Sequence, residues 1–85
     1  MPNNDKEFIA LNKAKNNILY QITEICNRAL ALKLMEMGCV KGMTIQKLSE
    51  APINGPIMIM VLPNENLLAL RAEDAADIFL SKSEN

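Results

Sequence analysis

The 85-residue sequence has no histidine and no tryptophan, and only one tyrosine and two phenylalanines. Without histidine no side chain has an ordinary pKa near neutrality, which removes the commonest general base. No charge of one sign dominates: 9 lysines and arginines face 10 aspartates and glutamates. The chain therefore lacks the positive field that draws nucleic-acid backbones. Long apolar runs are missing too. The longest, residues 57–63, falls far short of the roughly 20 residues a bilayer crossing needs and suits a buried strand instead. The two cysteines, Cys26 and Cys39, form no CxxC, and no segment reads as a secretory leader. This implies reduced thiols in the cytoplasm, not a disulfide scaffold.

What is abundant is apolar side chain: 49% of residues are hydrophobic, six of them methionine. A chain of this length supports one domain, residues 1–85, with a thin core over about residues 18–80. Residues 18–25 alternate, with Ile18, Tyr20 and Ile22 on one face, and read as a strand. From Arg28 to Met37 the period becomes helical, with Leu30, Leu34 and Met37 on one stripe, Asn27 as N-cap and Gly38 as the residue that ends the last turn. Such a short helix persists only if its apolar stripe is covered by the rest of the domain.

Gly42 then introduces a strand over residues 43–48, in which Leu48 breaks the alternation and signals either a bulge near Gln46 and Lys47 or an exposed leucine. Residues 51–56 hold two prolines and an Asn-Gly pair, so Gly55 and Pro56 belong to a hairpin loop. The strand at residues 57–62 is apolar on both faces, which places one face on the core and the other against a helix or a partner. A turn at residues 63–66 leads to a paired strand at 67–70, one helical turn within 71–77 and a last strand at 78–80. The first few residues and residues 81–85 are expected to fray, and the apolar patch at residues 8–11 to dock on the domain. Short strands joined by Gly, Pro and Asn turns leave edges, and curling the sheet into a small barrel removes them. The predicted fold is mainly β, a small barrel with one inserted helix and a short helical turn near the C-terminal end.

Chemistry finds little to work with. Cys26, Cys39 and six methionines raise soft-metal ligation, but the spacing offers no four-ligand site, and methionine fills irregular gaps without any ion. Cys26 precedes a helix but has only Arg28 as a nearby cation and no base. Glu73, Asp74 and Asp77 read as a solvated acidic face, and Gly38 and Gly42 are isolated and form no phosphate loop. The chain calls for no catalytic residue, no cofactor and no metal. Charge is uneven, with seven basic and four acidic side chains in residues 1–48 against two and six in residues 49–85. Such an asymmetry is either a dipolar surface that orients a protein partner or scatter among exposed side chains. More apolar surface asks for burial than one small barrel can hide, which points to protein contact through Met35, Met37, Met58 and Met60.

The stretch from Leu34 through Glu36, Met37, Gly38, Gly42 and Ile45 resembles the FeoA family, with Lys41 where that family usually has proline. The resemblance continues through Ala51-Pro52, Gly55-Pro56, the strand after them, and Leu68-Ala69-Leu70-Arg71 with Glu73, Ala75 and Ile78. It implies an SH3-like β-barrel with an inserted helix and a non-enzymatic accessory role in bacterial ferrous iron uptake. It also implies contact with a FeoB-type transporter at the cytoplasmic face of the membrane, without membrane insertion and without nucleic acid. Proline-rich peptide binding does not carry over, because Phe8, Tyr20 and Phe79 are too few to line its groove. The alternatives are a self-associating SH3-like module, its spare apolar face buried in a homo-oligomer, or a metal-responsive adaptor using Cys26 and Cys39.

Overall fold

The alternating segments become strands in a computed structural model that describes residues 7–83. In chain order these are β1 (Ile9–Ala10), a 3-10 turn (Leu11–Lys13), β2 (Leu19–Ile25), α1 (Arg28–Glu36) and β3 (Thr44–Glu50). They are followed by β4 (Ile57–Val61), β5 (Asn66–Leu70), α2 (Ala72–Ala75) and β6 (Ile78–Lys82). All strand pairs are antiparallel, in the order β1-β6-β2-β3-β4-β5. β3, β4 and β5 form a meander, while β6 returns to lie between β1 and β2.

The expected barrel does not close. The sheet is open, with β1 and β5 at its two edges and no ladder between them. The cause is the helical turn directly after each edge strand. β1 runs for two residues before the chain turns into the 3-10 segment, and β5 passes directly into α2. α2 packs against the 3-10 turn, so helical turns whose backbone groups are already engaged occupy the seam that a closing ladder would need.

One sheet face carries the core. Tyr20, Ile22, Ile45, Ile57, Ile59 and Val61 alternate inward and are buried together with Leu30 and Leu34 of α1. Each fully buried aliphatic chain contributes roughly 1.5–3 kcal/mol of gross transfer free energy. The cap and stop of α1 match the sequence pattern: the Leu30 amide donates to Asn27 Oδ1 at 3.0 Å, and Gly38 takes φ +83. Met37 departs from the expected stripe and is exposed. The helix ends at Glu36 and Met37 is already its C-cap, with φ −96 and ψ 8, so its side chain no longer follows the buried row.

The irregularity at Leu48 is a bulge. Lys47 pairs with Ile59 and Ser49 with Met58, leaving Leu48 unmatched. β2 has a similar register shift between Ile22 and Glu24, where the Thr23 hydroxyl donates to the Phe79 carbonyl at 2.9 Å. Ile9 and Ala10 dock by pairing with β6, and Leu11 has no exposed surface. At the other end Ser81 is buried and Lys82 still pairs with Tyr20, so the fraying expected from residue 81 does not begin there. The expectations for the first few residues and for 84–85 lie outside the described residues.

In the loop of residues 51–56 the left-handed positions are Ile53 (φ 59) and Asn54 (φ 56). Gly55 is needed for space instead: a Cβ there would lie 2.6 Å from the Ala51 Cβ. Gly42, at φ +96, is the second position where the backbone itself asks for glycine.

Candidate functional site

The sheet face opposite the core is built by the same alternation. Because Ile57, Ile59 and Val61 point inward, Met58 and Met60 point outward, where both are half-buried. The register lines up their neighbours. Leu19 of β2 stands opposite Gln46 of β3, Gln46 opposite Met60, and Met60 opposite Leu67 of β5, giving one row across four strands. Met58 sits beside Ser49 and Ala69 in the row next to it. Leu19 and Leu67 are exposed, Leu67 by 58%. The result is a mostly uncharged surface with methionine at its centre, a residue that adapts its shape to partner surfaces.

A second concavity adjoins this surface. A groove of about 390 Å³ lies between α1 and β5, lined by Leu30, Leu34 and Met37 on the helix side and by Ala69 and Leu70 on the strand side. Lys33, Arg71 and Asp74 give it charged walls. The Arg71 Nε donates to Asp74 Oδ2 at 3.3 Å, and its guanidinium lies 3.6 Å from Glu73, in a cluster that is largely exposed. The acidic turn therefore faces its own arginine, and Asp77 accepts from the Asn27 amide at 3.4 Å. The arginine contacts stay within α2 and its N-cap, whereas the Asn27–Asp77 bond joins the segment after α2 to the start of α1.

Of the four methionines singled out from sequence, Met58 and Met60 share the outer sheet face. Met37 lines the groove, as does Ala69, the cross-strand partner of Met58. Met35, 53% exposed, is on α1 but does not line the groove. Gly38 and Gly42 bracket the turn that follows α1, and Gly55 and Pro56 close the β3–β4 loop. Sequence reasoning missed Leu19, Leu67 and Ala69. Leu19 and Leu67 were apolar residues on alternating strands, and only the register shows that they align with Met60.

The cysteines occupy unlike environments. Cys26 is exposed, whereas Cys39 is buried in the core cluster and its burial raises the thiol pKa above the ordinary 9.0. Among the described residues no three His, Cys, Asp or Glu side chains converge as a metal site. Tyr20 is committed to the core, its hydroxyl accepting from the Lys15 amide at 3.0 Å. No helix among the described residues is long and apolar enough to cross a membrane.

Comparison with known proteins places this geometry. The profile of the FeoA domain matches residues 9–82. The crystal structure of an iron uptake regulatory protein (FeoA) is 27% identical with a TM-score of 0.75, over 91% of this chain and 99% of that one. The solution structure of a FeoA protein from Chlorobium tepidum is 26% identical with a TM-score of 0.78, over 89% and 71%. A manganese-dependent transcriptional repressor has a TM-score of 0.80 at 11% identity, over 94% of this chain and 44% of its own, and shares the fold alone. Comparison with curated proteins gave no match.

Proposed function

The chain belongs to the FeoA domain family, and on that premise we propose that it is a non-enzymatic accessory protein of ferrous iron uptake. It acts by binding the cytoplasmic portion of a FeoB-type transporter. The observation that carries this reading is the family match over residues 9–82. The outer face supports it: Met58, Met60, Leu67 and Leu19 form an adaptable apolar surface of the kind that forms the centre of protein interfaces. Met37, which lines the groove together with Ala69, extends the contact toward α1, whereas Met35 lies away from the groove. In this reading the protein stays on the cytoplasmic side and reaches the membrane only through its partner.

The test is a calorimetric titration of the transporter's isolated cytoplasmic domain with the full chain. Saturable binding is expected. No heat and no saturable signal, with either the isolated domain or the full-length transporter, contradicts the proposal.

A further inference from the structure

The loop between β3 and β4, residues 51–56, carries a side chain that the fold does not use. Ile53 is 95% exposed and so buries almost nothing. A lone exposed isoleucine is ordinary on a protein surface. Its backbone is not: φ 59 is left-handed, where a branched Cβ crowds the following carbonyl, and Asn54 comes next at φ 56. Asparagine or glycine takes such a position at less cost. The loop has its one glycine at position 55, where space and not φ requires it, because a Cβ there would lie 2.6 Å from the Ala51 Cβ. Position 53 thus holds a residue type that its conformation disfavours, with no packing to offset the strain. Strain kept without structural return is characteristic of functional positions.

The tip is also held in place. The Ala51 amide donates to the Pro56 carbonyl at 2.9 Å and the Gly55 amide to the Ala51 carbonyl at 3.2 Å, and Pro52 and Pro56 fix φ at two further positions. A side chain presented on a fixed loop loses little freedom on docking, so more of its burial appears as affinity. Its exposed neighbours Pro52, Asn54 and Pro56 are uncharged. Residues 48–70 contain no lysine or arginine but do contain Glu50 and Glu65. Arg71, which shares a concavity with Asn54 and Pro56, is paired with Glu73 and Asp74. The tip therefore lacks the basic residues that draw a chain to an anionic lipid surface, and an uncharged aliphatic knob fits an apolar pocket on a protein. The loop runs directly into the outer face: β4 starts right after Pro56, and its second residue, Met58, stands opposite Ser49 on the other side of the loop.

We propose that Ile53 is an anchor residue that inserts into an apolar pocket of the same protein that seats on Met58 and Met60. The inference rests on the reading that this partner is the cytoplasmic portion of a FeoB-type transporter, and it adds a contact beyond the sheet face. The isoleucine is kept at a cost in stability because its side chain is buried only in the complex.

The test is a calorimetric titration of the transporter's isolated cytoplasmic domain with the full chain as wild type, Ile53→Asn and Ile53→Leu, each melted in parallel. Ile53→Asn relieves the strain and removes the knob, so it should melt at or above the wild-type temperature and yet bind about tenfold or more weakly. A merely structural residue would move stability and affinity in the same direction. Ile53→Leu keeps the apolar bulk and should bind within about threefold of wild type. If wild type binds and a folded Ile53→Asn chain binds as tightly, the proposal is overturned while the transporter reading stands; if wild type itself shows no saturable binding, both fall. An Ile53→Leu chain as weak as Ile53→Asn also overturns it. Two controls identify the occupant: sedimentation velocity of the chain alone, and its binding to vesicles of phosphatidylglycerol and phosphatidylcholine. Self-association or vesicle binding that disappears in Ile53→Asn would give the tip to a second copy or to the lipid surface and overturn the proposal.

Discussion

Lys47 and Glu50 lie three residues apart in β3 and yet meet on one face of the sheet, Nζ to Oε1, at 2.8 Å. In a regular strand an odd spacing puts two side chains on opposite faces. The bulge at Leu48 inserts the extra residue that reverses this parity. Lys47 is only 2% exposed, and its ammonium also donates to the Ala14 carbonyl at 2.9 Å. The bulge thus lets a buried lysine tie β3 to the segment after β1.

Removing the carboxylate leaves a buried ammonium with one carbonyl partner, so Glu50→Ala should cost about 1–3 kcal/mol, reduced because Glu50 is partly exposed. Lys47→Met removes the charge and keeps most of the volume, and should cost less, under about 1.5 kcal/mol. Urea melts of the two variants check the order; a Lys47→Met chain less stable than Glu50→Ala contradicts it.

The irregular strand also shows how far the sequence could be read. Tyr20, Ile22, Leu30 and Leu34 were legible because period-two and helical patterns report the buried face directly. The parity break at Leu48 announced a bulge or an exposed leucine, but nothing local said that Lys47 would turn inward, since its partners Ala14 and Glu50 come from tertiary pairing. Barrel closure failed for a similar reason: the 3-10 turn after Ala10 and its packing on α2 carry no local pattern that reveals the seam. Met58 and Met60 were readable as a strand face, whereas their alignment with Leu19 and Leu67 depends on register across three ladders.

Leu34 is 1% exposed and anchors α1 in the core. Leu34→Ala should destabilise the chain by roughly 2–5 kcal/mol through lost transfer energy and a residual cavity. A loss below about 0.5 kcal/mol in denaturant melts would contradict the helix-face assignment.

Ile53 is 95% exposed and sits at φ 59, a left-handed conformation that a β-branched residue adopts at a cost of about 1–2 kcal/mol. It buries nothing in return. Ile53→Asn should therefore stabilise the fold by about 0.5–1 kcal/mol, seen as a higher melting temperature. An unchanged or lower melting temperature contradicts the strain argument.

Burial raises the pKa of Cys39 above 9.0. The folded thiol then holds its proton more tightly than the unfolded one, so this contribution to stability is intact below pH 9.0 and is lost as pH rises through the folded value. Stability measured from pH 8 to 11 should fall in this window, and Cys39→Ala should flatten that part of the fall. At pH 8 a thiol reagent should modify exposed Cys26 and spare Cys39 until denaturant is added; equal rates in the folded chain contradict the burial argument.

The most direct test of the outer face as the transporter contact is the affinity of Met58→Lys/Met60→Lys for the transporter's cytoplasmic domain, after circular dichroism has verified its fold. Two charges set into the centre of the proposed interface should weaken binding about 100-fold or more relative to wild type. A folded double variant that binds as tightly as wild type would contradict the assignment of this face.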